Sequence, residues 1–583
     1  MWLRSAAAFA GAMLVVAASG GCDGSREDAG PSKVELDRTT AAAPAQPAAD
    51  AGLPAATPKQ LWRADLPNVP SPNVARLEPV AGQLAVVSPR GLDVLDAQTG
   101  KPRWHYYEKS RLVTSYAVTA DAVVVTTVAA GKDGKALLDD DKQLRTTGLD
   151  AATGKSLWDK DHLLPVTEGQ QTGYHPFGSA KSGVAVLAGP DKARPTLLGI
   201  DARTGKQRWT WSNGAAQHCS FRPQDSDGSL LLFEASCGTQ KTMYALDPTS
   251  GVIRWEKPVD KGTWNTRTWN GVTLITNFRL NDNESTLVGP DGKTLWKLKD
   301  KEFAATEMAV SGGRAVLTVS DHDRGFGRRI EIVNTRTGKV EKRTDARDHD
   351  RLVPAGGRVY GVRQWLGEYQ DSEYGISPKL VPGALDVIDP GKGKVTTVPL
   401  PFAVVGEVPA GAPAPMLIAG DRLFRVQAQG GGLRLTAYGP GKGARPVETG
   451  GVPAADWPDA CKLTAKASDV TKREPAEKKP LRLGSVSIPN WGCEVETSGR
   501  PFEFRIGWVA PDAAAATALL DGTAGEKAQG VGDDAYRVGD ETGRKALIMR
   551  TGRFVVVFDD ADVTPGSSRR AVIDAVDKAL RSR

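Results

Sequence analysis

Long apolar runs are missing from this chain beyond residue 20. No later segment reads as a membrane-spanning helix, which needs about 20 apolar residues. Cysteine is scarce, with five in 583 residues, none adjacent and none in Cys-x-x-Cys spacing. That removes the zinc-ribbon and dithiol redox motifs. The six histidines (His105, His162, His175, His218, His322 and His349) are scattered, and no His-Glu-x-x-His occurs. Gly-x-Ser-x-Gly and the Walker phosphate loop are also missing, and Gly430-Gly431-Gly432 lacks the Lys-Ser/Thr such a loop requires. No one sign of charge dominates: 75 Lys and Arg against 69 Asp and Glu give +6. The charges interleave along the chain, so a nucleic-acid footprint is excluded.

The N-terminus carries an address. Met1 to Arg4 is a short positive start, and Ala6 to Ser19 is an apolar, small-residue stretch of signal-peptide length. It ends in Ser19-Gly20-Gly21-Cys22, with Ser19 where Leu is commoner. These residues resemble a bacterial lipobox. The resemblance implies a signal peptide over residues 1–21, lipid attachment at Cys22 and anchoring to the cell membrane on its extracytoplasmic face. From Cys22 to residue 58 the chain is poor in large apolar residues, as in Ala41-Ala42-Ala43-Pro44-Ala45-Gln46-Pro47, and reads as a disordered linker.

With Cys22 assigned to lipid, four cysteines remain. Cys219 and Cys237 lie 18 residues apart, and Cys461 and Cys493 lie 32 apart. Two local disulfides are the simplest arrangement in an oxidising compartment, with buried thiols the alternative.

One phrase recurs. It runs Asp96-Ala97-Gln98-Thr99-Gly100-Lys101-Pro102-Arg103-Trp104, then Asp150 to Trp158, Asp201 to Trp209 and Asp247 to Trp255. Gly289 to Trp296 is a shortened copy. Asn334 to Lys339, Asp389 to Lys394 and Gly439 to Gly443 have lost the Trp. Each follows a β-rich stretch such as Leu84-Ala85-Val86-Val87-Ser88, so the phrase is a tight antiparallel connection. Asp accepts from backbone N–H groups two residues on. Gly takes positive φ, Lys or Arg begins an outer strand, and Trp offers a plate to a neighbouring sheet. A period of about 40–50 residues with four short strands is the signature of propeller blades. The fold class is mainly β: a propeller of seven or eight blades over residues 59–450, eight being favoured, then a small α+β domain over 451–583. Gln60 to Leu66 reads as an outer strand that completes the last blade and closes the ring.

The Asp-x-x-Thr-Gly-Lys-x-x-Trp phrase resembles the pyrroloquinoline-quinone-like propeller repeat. That family includes quinoprotein alcohol dehydrogenases and non-enzymatic envelope lipoproteins of the outer-membrane assembly type. The dehydrogenase branch sets a disulfide between adjacent cysteines against the quinone and holds calcium with Glu, Asn and Asp. This chain has no Cys-Cys pair and no copy of those motifs. The resemblance therefore implies a non-catalytic scaffold with no cofactor and no metal site. Its partners would be the membrane, through the lipid, and a protein or cell-wall polymer, but not nucleic acid. A quinone-dependent oxidoreductase is the alternative.

Other candidates have plain structural readings. Asp321-His322-Asp323 and Asp348-His349-Asp350 are read as exposed loops, and Asp139-Asp140-Asp141 as a solvated turn without calcium-loop spacing. Insertions at 131–145, 161–176 and 363–382 are the candidate binding loops, and two of them hold or adjoin Tyr174, Phe177, Trp365, Tyr369 and Tyr374.

The C-terminal region opens at Asp456-Trp457-Pro458-Asp459-Ala460-Cys461. Strands are expected over 481–488, 491–497, 502–509, 535–538, 545–549 and 554–558, helices over 513–520 and 567–580, and a charged loop over 471–479. Pro458-Asp459-Ala460-Cys461-Lys462-Leu463-Thr464, Trp491-Gly492-Cys493 and Val531-Gly532-Asp533-Asp534-Ala535-Tyr536 resemble extracytoplasmic domains of actinobacterial lipoproteins and sensors. That implies a binding or sensing module. The Gly-Asp-Asp-Ala-Tyr segment is a candidate ligand surface, with a simple turn into a strand as the alternative.

Overall fold

The structure is a computed structural model. It describes residues 36–42, 52–56, 58–67, 76–130, 144–161, 163, 183–188, 196–212, 219–237, 240–259, 263–278, 283–321, 327–345, 351–363, 379–406, 416–429, 432–441, 452–476, 481–483, 486–498, 501–510, 512–520, 526–539, 545–559 and 564–583.

Eight antiparallel sheets form an eight-bladed propeller. Blade 2 is typical, with Arg111–Val118, Ala122–Ala129, Arg145–Asp150 and Ser156–Asp161 paired in succession. The first strands of neighbouring blades lie side by side, and blade 8 returns to blade 1. Blade 8 takes its outer strand from the start of the chain. Lys59–Leu66 pairs with Gly432–Gly439, in register from Lys59 opposite Gly439 to Leu66 opposite Leu433. The outer strand of blade 8 thus comes from the start of the chain, and this strand closes the ring. Three strands of blade 3 lie among the described residues.

Second strands such as Gln83–Ser88 are buried along their whole length because each blade is covered on both faces. Apolar clusters fill the spaces between blades, for example Val94, Trp104, Val123 and Leu149 between blades 1 and 2.

Antiparallel succession sorts the connections between two faces. Turns joining first to second strands, and the Asp-x-x-Thr-Gly hairpins joining third to fourth, share one face. Connections between second and third strands, and from one blade to the next, share the other. The insertions at 131–145, 161–176 and 363–382 leave from this second face, here called the loop face. Their aromatic residues lie outside the described residues, as do Asp139–Asp141, His322, Asp323 and the Asp348–Asp350 cluster.

The linker expectation needs correction at two places. Leu36–Thr39 is a strand that pairs antiparallel with Pro102–Glu108 and gives blade 1 a fifth strand. Leu53 is buried, and its carbonyl accepts hydrogen bonds from Tyr360 Oη at 2.7 Å and Arg358 Nη1 at 2.8 Å. Neither segment has an apolar period, because each is held by backbone groups or by one inserted side chain. Cys22 and the signal stretch lie outside the described residues.

The C-terminal region forms a seven-stranded sheet with three helices around its own apolar core. The helices are α1 (Ala460–Leu463), α2 (Ala513–Leu520) and α3 (Ser568–Arg581). Asp459 caps α1 through the Lys462 N–H, and Ser567 caps α3 through the Arg570 N–H. The expected loop over 471–479 contains an edge strand, Lys472–Pro475, paired with Gly492–Glu496. Its charges and proline suit a sheet edge, which is why it reads as loop in the sequence. Cys461 and Cys493 form a disulfide that ties α1 to the sheet. No helix of the described residues is long and apolar enough to cross a membrane.

Candidate functional site: the repeat and the loop face

The repeat phrase has a local duty in each blade. In blade 1, Asp96 Oδ1 accepts from the Gln98 N–H at 3.0 Å, the Thr99 N–H at 2.8 Å and Thr99 Oγ1 at 3.0 Å. The Gly100 N–H closes the turn on the Asp96 carbonyl at 2.8 Å. Blade 3 repeats this at Asp201 and adds Arg208 at 2.5 Å. The Arg208 guanidinium, with help from Thr204 and against partial burial, holds the Asp201 carboxyl below the usual carboxylate range.

The Trp and Gly of the phrase serve neighbouring blades. The ring of Trp104 covers Gly154, Trp158 covers Gly205, Trp209 covers Gly251, Trp255 covers Gly292, and Trp62 of blade 8 covers Gly100 of blade 1. A Cβ at any of these glycines would stand 2.4–2.6 Å from a Trp carbon, and each has φ between 64° and 81°. Trp158 Nε1 donates to the Ala202 carbonyl at 2.8 Å, and Trp209 Nε1 to the Pro248 carbonyl at 3.0 Å. Trp104 makes no such bond, and Gln83 Nε2 donates to the equivalent Ala151 carbonyl at 3.1 Å. Blade 5 keeps its Trp296, but Gly338 of blade 6 lies against the Leu295 carbonyl beside it. Where blade 6 has lost the Trp, Gly393 of blade 7 lies against the Lys342 stem instead. Gly148 and Gly199, opposite Trp158 and Trp209, leave room for those rings within their own blades.

Buried carboxylates occur in several blades. Glu108 is buried between blades 1 and 2, where it meets Arg111 Nε at 2.9 Å, Thr127 Oγ1 at 2.7 Å and the Tyr106 hydroxyl. Glu307 of blade 6 takes Arg267 of blade 5 at 2.6 Å. Glu331 is buried with Arg329 at 2.7 Å and Arg343 at 3.2 Å. These carboxylates are neutralised by the chain's own arginines.

Glu78, on the first strand of blade 1, differs. Burial pushes its carboxyl up, opposed by the Tyr116 hydroxyl, which donates at 3.1 Å, and by Arg351 and Arg76. Residues from blades 1, 2 and 7 therefore converge on one carboxyl near the axis. A raised acid binds its proton more tightly in the folded state, so its ionisation costs stability as pH rises through the raised value. Glu78→Gln, which keeps an acceptor for Tyr116, should match the native chain near pH 4 and be the more stable at pH 7. Chemical unfolding at both pH values measures this. The Asp201-type turns have the opposite sign: their stabilisation is full above about pH 4 and is lost as pH falls.

The sequence-predicted sites stand apart from one another. Cys219 and Cys237 face each other across the first two strands of blade 4 in the backbone register, and their side chains lie outside the described residues. Directly opposed strand positions suit a disulfide. That bridge remains a proposal, checked by peptide mapping with and without reductant. In the C-terminal sheet, Asp533 accepts from the Gly552 N–H at 2.7 Å and pairs with Arg581 at 2.8 Å. Asp534 pairs with Arg550 at 2.7 Å. Both carboxylates of the Gly-Asp-Asp-Ala-Tyr segment are thus engaged internally, as in a turn into a strand.

A family model described as outer membrane protein assembly factor BamB matches residues 51–220 and 180–369, more than half of the chain. The chain belongs to this family. Quinoprotein ethanol dehydrogenase of Pseudomonas aeruginosa is 26% identical over 209 residues, 33% of this chain and 29% of that protein. The chain thus spans less than a third of that curated relative's length. Among solved structures, BamB from Moraxella catarrhalis overlaps 66% of this chain and 100% of its own, with 13% identity and a TM-score of 0.38. A europium-containing methanol dehydrogenase overlaps 66% and 93%, with 12% identity and a TM-score of 0.34.

The quinone named for quinoprotein ethanol dehydrogenase can be tested against this BamB-family chain. The sequence has no adjacent cysteines, and among the described residues no cluster of three or more His, Cys, Asp and Glu could hold a metal ion. The buried carboxylates of Glu108, Glu307 and Glu331 are paired with Arg111, Arg267, Arg329 and Arg343. The described residues do not fit a quinone with its calcium.

Proposed function

We propose that the chain is a non-catalytic propeller that binds protein at the cell envelope, anchored to the membrane through a lipid on Cys22. One observation carries this reading. The Asp, Thr, Gly and Trp of the repeat are committed to turns and blade-to-blade seams, and what varies between blades is the length of the loop-face connections. A rigid ring with variable loops on one face is a recognition scaffold. The matched family's description, an outer membrane protein assembly factor, supports an envelope role with protein partners. The C-terminal unit is a further binding or sensing module on the same tether.

Cys22→Ala tests the anchor. The variant should leave the membrane fraction or accumulate unprocessed, whereas normal processing and unchanged membrane fractionation would contradict it. A second reading, a quinone-dependent oxidoreductase, is favoured by the identity to quinoprotein ethanol dehydrogenase. Titration with pyrroloquinoline quinone and calcium tests that reading. On the proposal, dye reduction stays at background.

A further inference from the structure

The geometry points to the outer edge of blade 1 as a strand-docking site for an extended segment of a partner protein, occupied in the free chain by its own residues Leu36–Thr39. This surface lies on the side of the ring and stands whether or not the loop face binds protein.

The edge strand Pro102–Glu108 differs from most of its counterparts. Beyond the Trp position, the outer strands of blades 2, 4, 5 and 6 carry Asp159-Lys160-Asp161, Glu256-Lys257, Lys297-Leu298-Lys299-Asp300 and Arg343-Thr344-Asp345. Such charges discourage a further strand. Blade 1 carries His105-Tyr106-Tyr107 at the same place, and here a further strand is paired. Leu36 stands opposite Glu108, Asp37 opposite Tyr107, Arg38 opposite Tyr106 and Thr39 opposite His105. The resident strand demonstrates both the acceptor geometry and its antiparallel direction.

The resident is held lightly. All four of its residues are exposed, and its one large apolar side chain, Leu36, is only partly covered. Beyond the ladder, its attachments centre on one imidazole. His105 Nε2 lies 2.9 Å from Asp37 Oδ1, its Nδ1 lies 3.2 Å from Thr39 Oγ1, and the His105 backbone N–H donates to Thr39 Oγ1 at 3.2 Å. The chain is fixed just beyond, where the Ala41 N–H donates to the Thr153 carbonyl of blade 2 and Ala41 is buried. Residues 36–39 can therefore peel away while Ala41 stays in place. The incoming segment is defined by what it replaces: an extended strand with a hydroxyl or carboxylate opposite His105. Main-chain bonds would supply affinity and the imidazole its register, as in other strand-addition complexes.

A fluorescein-labelled peptide of residues 33–41 serves as the probe, read by anisotropy against the full chain. Asp37→Pro with Thr39→Pro frees the edge. The doubly substituted chain should bind the peptide at least tenfold more tightly than the native chain, whose edge is occupied. Equal affinity, or no binding to a doubly substituted chain with native circular dichroism, overturns the proposal. Hydrogen exchange on the unmodified chain supplies a test that needs no variant. The amides of residues 36–39 should exchange at least a hundredfold faster than those of Gln83–Ser88. Equal protection would mean that the resident strand does not open and the edge is not available.

Discussion

Alanine at Gly338 is expected to destabilise the propeller by about 3 kcal/mol or more, while alanine at Gly313 costs only about 1–2 kcal/mol. The two glycines sit in the same blade and share φ of 72°. Both therefore incur the left-handed penalty of a side-chain-bearing residue. They differ in what a Cβ would meet. At Gly313 nothing lies within 4 Å, whereas at Gly338 the Cβ would stand 1.9 Å from the Leu295 carbonyl oxygen of the preceding blade. Backbone atoms cannot swing aside as a side chain can, so blade 6 would have to back away from blade 5. The seam's core of Val272, Leu287, Trp296, Leu317 and Val333 would open with it. Denaturant unfolding of the two variants side by side separates close packing from backbone conformation. Equal losses would show that the hairpin glycine acts only through its φ.

Truncation at the other partner of the seam should be equally severe. Trp104→Ala is expected to lose about 3–5 kcal/mol. Trp104 is 1% exposed and packs with Val94, Leu149 and Ala151 across the seam between blades 1 and 2. Its indole N–H has no partner, so Trp104→Phe removes volume and no hydrogen bond, costing about 1–2 kcal/mol. Trp209→Phe also forfeits the bond to the Pro248 carbonyl and should cost more relative to its burial. A Trp104→Ala chain as stable as the native one would mean that the Trp decorates its blade without joining it to the next.

These seams show what the sequence made legible. The hairpin Asp, Thr and Gly act within five residues, so their spacing alone revealed the turns. The outer strand over residues 60–66 was legible because it had the Trp and the alternation of a fourth strand but no hairpin before it. Which glycine each Trp covers was not legible, since the two lie 37–50 residues apart and meet only once the ring exists. The strand at Leu36–Thr39 left no trace because four exposed residues carry no hydrophobic period. Lys472–Pro475 was hidden by the charges and proline that make it a good edge. The convergence of Glu78, Tyr116 and Arg351 from three blades is a product of ring closure, which no local pattern records.

Whether the loop face meets a protein partner can be asked in membranes with a photocrosslinking residue at one position on each face. Glu302 is exposed between blades 5 and 6 on the loop face, and Arg203 is exposed in the blade 3 hairpin on the opposite face. A probe at Glu302 should yield a discrete protein adduct that a probe at Arg203 does not. Adducts from Arg203 alone, or none from Glu302 in a chain that reduces dye when given pyrroloquinoline quinone and calcium, would contradict a protein-binding loop face.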